Sequence, residues 1–187
     1  KNIKIYNNFL SFNKIFNSKI DYVMSSITGI AGLEPTIKII KHTKSIGIAN
    51  KETIICAWNL INRQLKKNNT SFIPIDSEHF SIYSLNNGFS TEQIEKIFIT
   101  ASGGPFLNLT KKKLNMVNPS KAVQHPNWKM GKKISIDSST LINKVYELIE
   151  AKKIFNLDYN KFKIIVEPTS YVHGIVEFNN GICKILT

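Results

Sequence analysis

Short, continuously apolar runs alternate along this chain with longer stretches whose apolar residues recur every three or four positions. Residues 20–27, "IDYVMSSI", are a run of the first kind, and Gly29, Gly32 and Pro35 after it mark a strand-to-helix turn. Ile37, Ile39 and Ile40 belong to the helix that follows. A second short strand, "SIGIA", leads through a turn at Asn50, Lys51 and Glu52 into a helix with apolar residues at Ile54, Ile55, Trp58 and Ile61. "SFIPIDSE" reads as a third strand. This order and spacing predict βαβ units and a parallel sheet. Such sheets bind ligands at the carboxyl ends of their strands, where "SSITG", "IANKE" and "IPIDSE" put three polar clusters on one rim.

The pattern resumes at about residue 91. "IEKIFITASGGPF" is a strand running into Ser102, Gly103, Gly104 and Pro105, a turn whose backbone N–H groups and hydroxyl suit phosphate oxygens. "LNLTKKKLNMVN" predicts a small helix capped by Thr110. "HPNWKMGKK" is a loop, in which Trp128 and Met130 are either core anchors or a lid; Trp128 reads first as core. "ISIDSST" reads as a strand and turn before a strong helix with Leu141, Ile142, Val145, Leu148 and Ile149 on its apolar face. Lys144 and Glu147, three apart on that helix, read as an ordinary surface ion pair worth a few tenths of a kcal/mol. Two β runs around Asn179, Asn180 and Gly181 form a closing hairpin.

Composition narrows the class. The 187 residues are 42% hydrophobic and 20% charged, as in a globular protein, with no apolar run near the roughly 18 residues of a membrane span. The opening "KNIKIYNNFLSF" lacks an initiator Met and a signal peptide, so the chain is expected to be cut from something longer. Cys56 and Cys183, far apart, read as small core hydrophobes in a reducing compartment. The net charge of +12 rests on scattered lysines and one arginine, Arg63, which argues against a nucleic-acid partner and is compatible with a small phosphorylated anion.

The candidate chemistry centres on Asp76 and Glu78. In a continuing strand the two carboxylates would point to one side. Then one is protonated, or a cation sits between them, or the chain is irregular there and both are solvated. Lys51, Ser77, Ser102, Ser138, Asn143, Lys144 and Glu147 complete the polar sets that could converge. Hard oxygen donors without a cysteine or histidine cluster favour Mg²⁺ or Mn²⁺, together with a phosphate monoester.

"GIAGLEPT", "IANKE", "IPIDSEH", "ASGGPF", "HPNWKMGKKISIDSST" and "NKVYELIEAKKIF" resemble, in order and spacing, the 1-deoxy-D-xylulose 5-phosphate reductoisomerase family, from about Tyr22 onward. The resemblance implies an α/β fold: residues 1–75 as the C-terminal part of a Rossmann-like NADPH-binding domain, and residues 76–187 as a truncated catalytic domain with a mixed sheet. It implies an enzyme of the non-mevalonate isoprenoid pathway that rearranges a phosphorylated sugar and reduces it with NADPH to 2-C-methyl-D-erythritol 4-phosphate. Asp76, Glu78 and Glu147 would be the ligands of one Mg²⁺ or Mn²⁺. Ser77, Ser102, Ser138, Asn143, Lys144 and His125 would hold substrate, Trp128 and Met130 would form a flap over it, and Met130 would also touch the cofactor. Ser26, Ile27, Gly29, Asn50, Lys51 and Glu52 would edge the NADPH site; Lys51 and His125 are expected to act in catalysis beside the three carboxylates.

The resemblance further implies a homodimer at full length, with "GIVEFNNGICKIL" contributing, and a bacterial cytoplasmic or a plastid location. The family's glycine-rich cofactor turn and its helical C-terminal domain are not matched, so little turnover is expected of this chain alone. Glu167 stands where the family usually has a histidine; His173 is retained. Other expectations compatible with the residues are a different Mg²⁺- or Mn²⁺-dependent phosphosugar enzyme, or a basic binding module.

Overall fold

The computed structural model describes residues 4–6, 11–124 and 131–187, and its contacts divide the chain into two units, Lys1–Asp76 and Ser77–Thr187. The first unit runs α1 (Phe12–Ile15), β1 (Ile20–Ser25), α2 (Leu33–Ile39), β2 (Thr43–Ile48), α3 (Lys51–Lys67) and β3 (Ser71–Pro74). Its strands form the expected parallel sheet in the order β1-β2-β3. Ser25 lies opposite Ile48 and Ile48 opposite Pro74, so all three strands end on one rim.

Packing explains these elements. Ile46 and Ile48 of the central strand are buried, and α3 turns Ile54, Trp58, Ile61 and Leu65 inward at steps of four, three and four. The Trp58 ring meets Phe72 of β3 edge-on at 5.0 Å. Asn50 is the N-cap of α3 and not part of a turn before it: its side-chain oxygen accepts from the Thr53 N–H at 2.8 Å. Its amide nitrogen donates to the carbonyls of Ile27 and Gly29, tying the loop after β1 to the start of α3. A Cβ on Gly32 would lie 2.5 Å from that amide nitrogen, which is why glycine stands there.

The second unit contains α4 (Ser77–Leu85), β4 (Ile94–Ala101), α5 (Lys111–Leu114), α6 (Pro119–Ala122), α7 (Lys132–Ser139), α8 (Ile142–Phe155), β5 (Phe162–Val166), β6 (Gly174–Phe178) and β7 (Cys183–Leu186). Its mixed sheet has the order β5-β4-β6-β7, with β4 parallel to β5 and antiparallel to β6. Ile94, Ile97 and Ile99 of β4 share a core with Ile82 and Leu85 of α4, Ala151 and Phe155 of α8, and Val176 and Phe178 of β6. Each fully buried isoleucine or phenylalanine contributes about 1.5–3 kcal/mol through the hydrophobic effect. The hairpin closes where predicted, with Gly181 at φ 85°.

Four expectations are corrected. The strand read in "ISIDSS" is helix α7: its short apolar-polar alternation is overridden, and the buried positions are Ser135 and Ser139, four apart, while Ile136 is exposed. The Ser135 hydroxyl donates to the Gly131 carbonyl, and Lys133 pairs with Asp137 at 2.9 Å, both at helical i, i+4 spacing. The third strand stops at Pro74, and Ser77 begins α4, so Asp76 and Glu78 are not alternate residues of one strand. Leu141, just before helix α8, and Ile142 and Val145 within it are exposed, and the helix buries Lys144, Glu147 and Glu150 instead. Both cysteines are exposed: Cys56 lies on the outer face of α3 and Cys183 on the edge strand β7.

Glu167, the residue in place of the family's histidine, organises the loop after β5. Its N–H donates to the Ala101 carbonyl at 2.7 Å, prolonging the β4–β5 pairing. Its carboxylate accepts from the Thr169 hydroxyl and from the N–H groups of Thr169 (3.0 Å), Tyr171 (2.8 Å) and Val172 (3.3 Å). The Thr169 hydroxyl first, and then these N–H groups, hold its pKa down to about 2 from 4.5. The folded-state pKa is depressed, so its contribution to the loop is complete above 4.5 and lost as pH falls toward about 2. The protection of the Tyr171 and Val172 amides, measured relative to the intrinsic exchange rate at each pH, should therefore fall across that window in the wild type. In Glu167→Gln the protection should already be low at pH 6 and should not fall further on acidification; a wild-type protection profile in the variant would show that the carboxylate does not order the loop.

Candidate metal and substrate site

The carboxyl rim of the first sheet carries the residues expected near a cofactor. Ser26 is exposed in the loop after β1, with Ile27 and Gly29 half-buried behind it. A cavity of about 260 Å³ opens beside them, bordered by Phe12, Phe16, Met24, Ser26, Ile27 and Pro35. Lys51 and Glu52 form the first turn of α3, where Lys51 Nζ lies 3.6 Å from the Asp76 carboxylate at the end of the unit. Asn50, 3% exposed, shapes this rim from within.

In the second unit the acidic residues meet around one ammonium group. Glu78 stands in the first turn of α4, where the helix dipole favours an anion. The Ser77 hydroxyl donates to Glu78 Oε2 at 2.6 Å. Lys144 Nζ reaches across from α8 to Glu78 Oε1 and also contacts Glu147 Oε2, 2.6 Å away. The Asn143 amide donates to the other oxygen of Glu147. Glu147 is 1% exposed and Lys144 8%, so the pair read as a surface contact is buried.

Burial alone would pull the lysine's pKa down, but the Glu147 and Glu78 carboxylates outweigh it and hold it above the ordinary value. Two carboxylates against one ammonium leave the trio with a net charge of −1. Its donors are hard oxygens that already share one cation, which suits a divalent ion such as Mg²⁺ or Mn²⁺.

Sequence reasoning missed Glu150. It lies one turn beyond Glu147 on the same buried face, and that i, i+3 spacing was the available signal. His79 of α4, fully buried, places Nε2 2.9 Å from the Glu147 carbonyl oxygen and Nδ1 3.7 Å from the Glu150 carboxylate. The neighbours of Glu78 and Glu147 are thereby joined to each other, which fixes where the two carboxylates meet.

The Ser102 turn packs on the end of α7. Gly103 and Gly104 both have positive φ, and a Cβ on Gly104 would come within 2.8 Å of the Ser138 carbonyl oxygen. Ser138 is followed by Leu141 at φ 60°, an uncommon left-handed leucine that reverses the chain into α8 immediately before Asn143 and Lys144. Ser102, Ser138, Asn143 and Lys144 thus belong to one connected neighbourhood of the unit. His125, Trp128 and Met130 lie outside the described residues. Gly104→Ala should cost about 2 kcal/mol or more, from the left-handed φ and the backbone clash together. It should also weaken the affinity of the chain for inorganic phosphate. Denaturant unfolding and phosphate titration measure the two; wild-type values in both would mean that the turn does not need its close approach to α7.

A parallel βαβαβ unit with a polar carboxyl rim, and a mixed-sheet unit in which a buried and a half-buried glutamate share one ammonium, define an α/β protein of two units, each with its own polar cluster. Family models match along most of the chain: the 1-deoxy-D-xylulose 5-phosphate reductoisomerase model at residues 2–58 and that family's C-terminal domain model at residues 72–155. The reductoisomerase of Pelagibacter ubique is 59% identical over 186 residues, covering 98% of this chain and 48% of the relative. That of Ruminiclostridium cellulolyticum is 47% identical over 165 residues, covering 88% of this chain and 43% of the relative. Among solved structures, the Zymomonas mobilis reductoisomerase in complex with NADPH superposes with a TM-score of 0.81 at 38% identity, over 89% of this chain and 42% of that one. A DOX-P reductoisomerase in complex with NADPH, fosmidomycin and magnesium gives the same TM-score and identity, over 89% and 43%. The chain belongs to the 1-deoxy-D-xylulose 5-phosphate reductoisomerase family, and spans about half the length of the curated relatives it matches.

Proposed function

We propose that this chain contributes the metal- and substrate-binding machinery, and one edge of the cofactor site, of an NADPH- and divalent-metal-dependent 1-deoxy-D-xylulose 5-phosphate reductoisomerase. The observation that carries this reading is the meeting of Glu78 and Glu147 on one cationic centre, in a chain so similar to reductoisomerases. Asp76 is the third ligand in this reading, since only Ser77 separates it from Glu78 along the backbone. A solved relative contains magnesium and NADPH together, which supports the same pair of cofactors here.

When bound, Mg²⁺ or Mn²⁺ supplies Lewis-acid polarisation of a substrate oxygen. The chain's own residues do the rest. The Ser102 turn offers a hydroxyl and backbone N–H groups to the phosphate, and Ser138, Asn143 and Lys144 supply further donors to the phosphate and neighbouring hydroxyls. Gripping the phosphate at a distance from the reacting carbons uses binding energy to orient them. His125 and Trp128 take the substrate-facing roles that the family resemblance gives them, and Met130 a place at the cofactor. On the first unit's rim, Asn50 ties the Ile27 and Gly29 carbonyls to the start of α3, where Lys51 and Glu52 follow, and the apolar cavity beside the Ser26 and Ile27 loop suits a flat ring. The exposed Ile182 and Ile185 of the closing hairpin support a homodimer of the longer protein.

Calorimetric titration with Mn²⁺ tests the core of the proposal. Glu147→Gln should bind Mn²⁺ at least about tenfold more weakly than the wild-type chain, equivalent to about 1.4 kcal/mol. A phosphonate mimic of the substrate should strengthen Mn²⁺ binding in the wild type only. Equal affinities in the two proteins would sink the metal-site reading and leave Glu147 as a structural partner of Lys144.

A further inference from the structure

Lys144 does more than neutralise its neighbours. Its Nζ contacts Glu78 on one helix and Glu147 on another, so it fills the space from which a divalent ion would touch both carboxylates. Two cations cannot share that space at these distances, because at about 3–4 Å their repulsion is large in a poorly hydrated site. We propose that Lys144 is an exchangeable counter-ion: a divalent metal enters only as the ammonium leaves, and the released ammonium becomes the donor that captures the phosphate of the substrate. This inference rests on the metal-site reading above.

Three observations on this chain favour exchange over a fixed ion pair. Each contacted carboxylate has a separate hydrogen-bond donor on its other oxygen: the Ser77 hydroxyl for Glu78 and the Asn143 amide for Glu147. Those donors hold the carboxylates in place whichever cation sits between them. The backbone under Glu147 is anchored independently through His79, so the departure of the lysine does not release α8 from α4. Finally, Lys144 sits in the first turn of α8, where its N–H donates to the Leu141 carbonyl and the Leu141 N–H to the Ser138 carbonyl, each at 3.1 Å, and four flexible methylenes let its head move without moving the helix.

The consequence is a coupling between ligands. Metal binding frees the phosphate donor, and phosphate binding stabilises the lysine away from the carboxylates, so each ligand must raise the affinity of the other by the same factor. The lysine also weakens metal binding by itself, because its ion pairs must first be broken. A neighbouring cation that only helped to build the site would have the opposite sign.

The first arm uses the wild-type chain and so needs no variant to fold. Reductive methylation with peptide mapping should label Lys144 slowly without metal and at least about threefold faster with saturating Mg²⁺, while the exposed Lys113 stays constant. Inorganic phosphate added with Mg²⁺ should slow Lys144 labelling again. In the second arm, Lys144→Met should bind Mn²⁺ at least about threefold more tightly than the wild type and lose the strengthening by phosphate; circular dichroism confirms its fold. Lys144→Arg should keep the antagonism. If Mg²⁺ binds by calorimetry but Lys144 stays protected, exchange is overturned and the metal site stands. If no divalent ion binds to the wild type, both fail together. Weaker or unchanged Mn²⁺ binding by a folded Lys144→Met also overturns exchange.

Discussion

Two glutamate carboxylates brought together, Glu147 buried and Glu78 half-buried, need a cation between them, and in this chain the Lys144 ammonium fills that place. Taking each ion from water costs several kcal/mol, which is recovered only when the charges meet at hydrogen-bond distance with their remaining lone pairs occupied. That condition dictates much of the second unit. It turns the charged face of α8 inward over its first turns, where patterning would have put leucine, isoleucine and valine. It places the start of α4 within reach of α8, and it calls for the supporting donors Ser77, Asn143 and His79. Farther along, α8 joins the apolar core through Ala151 and Phe155, with the partly buried Leu148 and Ile154 packed against it.

The two units build polar sites by different means. In the first, the geometry of a parallel sheet does the placing: three strands ending in register carry whatever follows them to one rim, and a single buried asparagine stitches the loop after β1 to the helix after β2. In the second, the side chains place one another through charge and hydrogen bonding. The first kind of site is visible in a pattern of apolar runs and turn residues. The second is not, because its parts come from helices far apart in sequence.

That difference explains what could be read in advance. The strands β1 to β4, the helix α3, the glycine turn after Ala101 and the closing hairpin each have a local signal and stand where the pattern put them. The helix α7 was misread because the alternation in "ISIDSS" carries the strand period, while the helix is held by i, i+4 contacts of Ser135 and Lys133 that an apolar pattern does not register. The argument from alternate strand residues at Asp76 and Glu78 assumed that the strand outlived Pro74, and it does not. The burial of Lys144 and Glu147 had no local signal at all: three residues apart on a helix, they look like any surface pair. Family resemblance, and not patterning, marked them, and it said nothing of Glu150.

The separation along the chain between Glu78 and Lys144, 66 residues, also bears on how the second unit comes together. The hairpin β6–β7 and the individual helices involve near neighbours and can form early. The parallel pairing of β4 with β5 and the docking of α4 on α8 each require closure of a long loop, which is slow. Until α4 arrives, the inward face of the first turns of α8 bears charges that are better solvated than buried, so only its later, apolar turns gain by docking early. Assembly of the ionic cluster is therefore a late event, and the chain reaches a working site only when it has nearly finished folding.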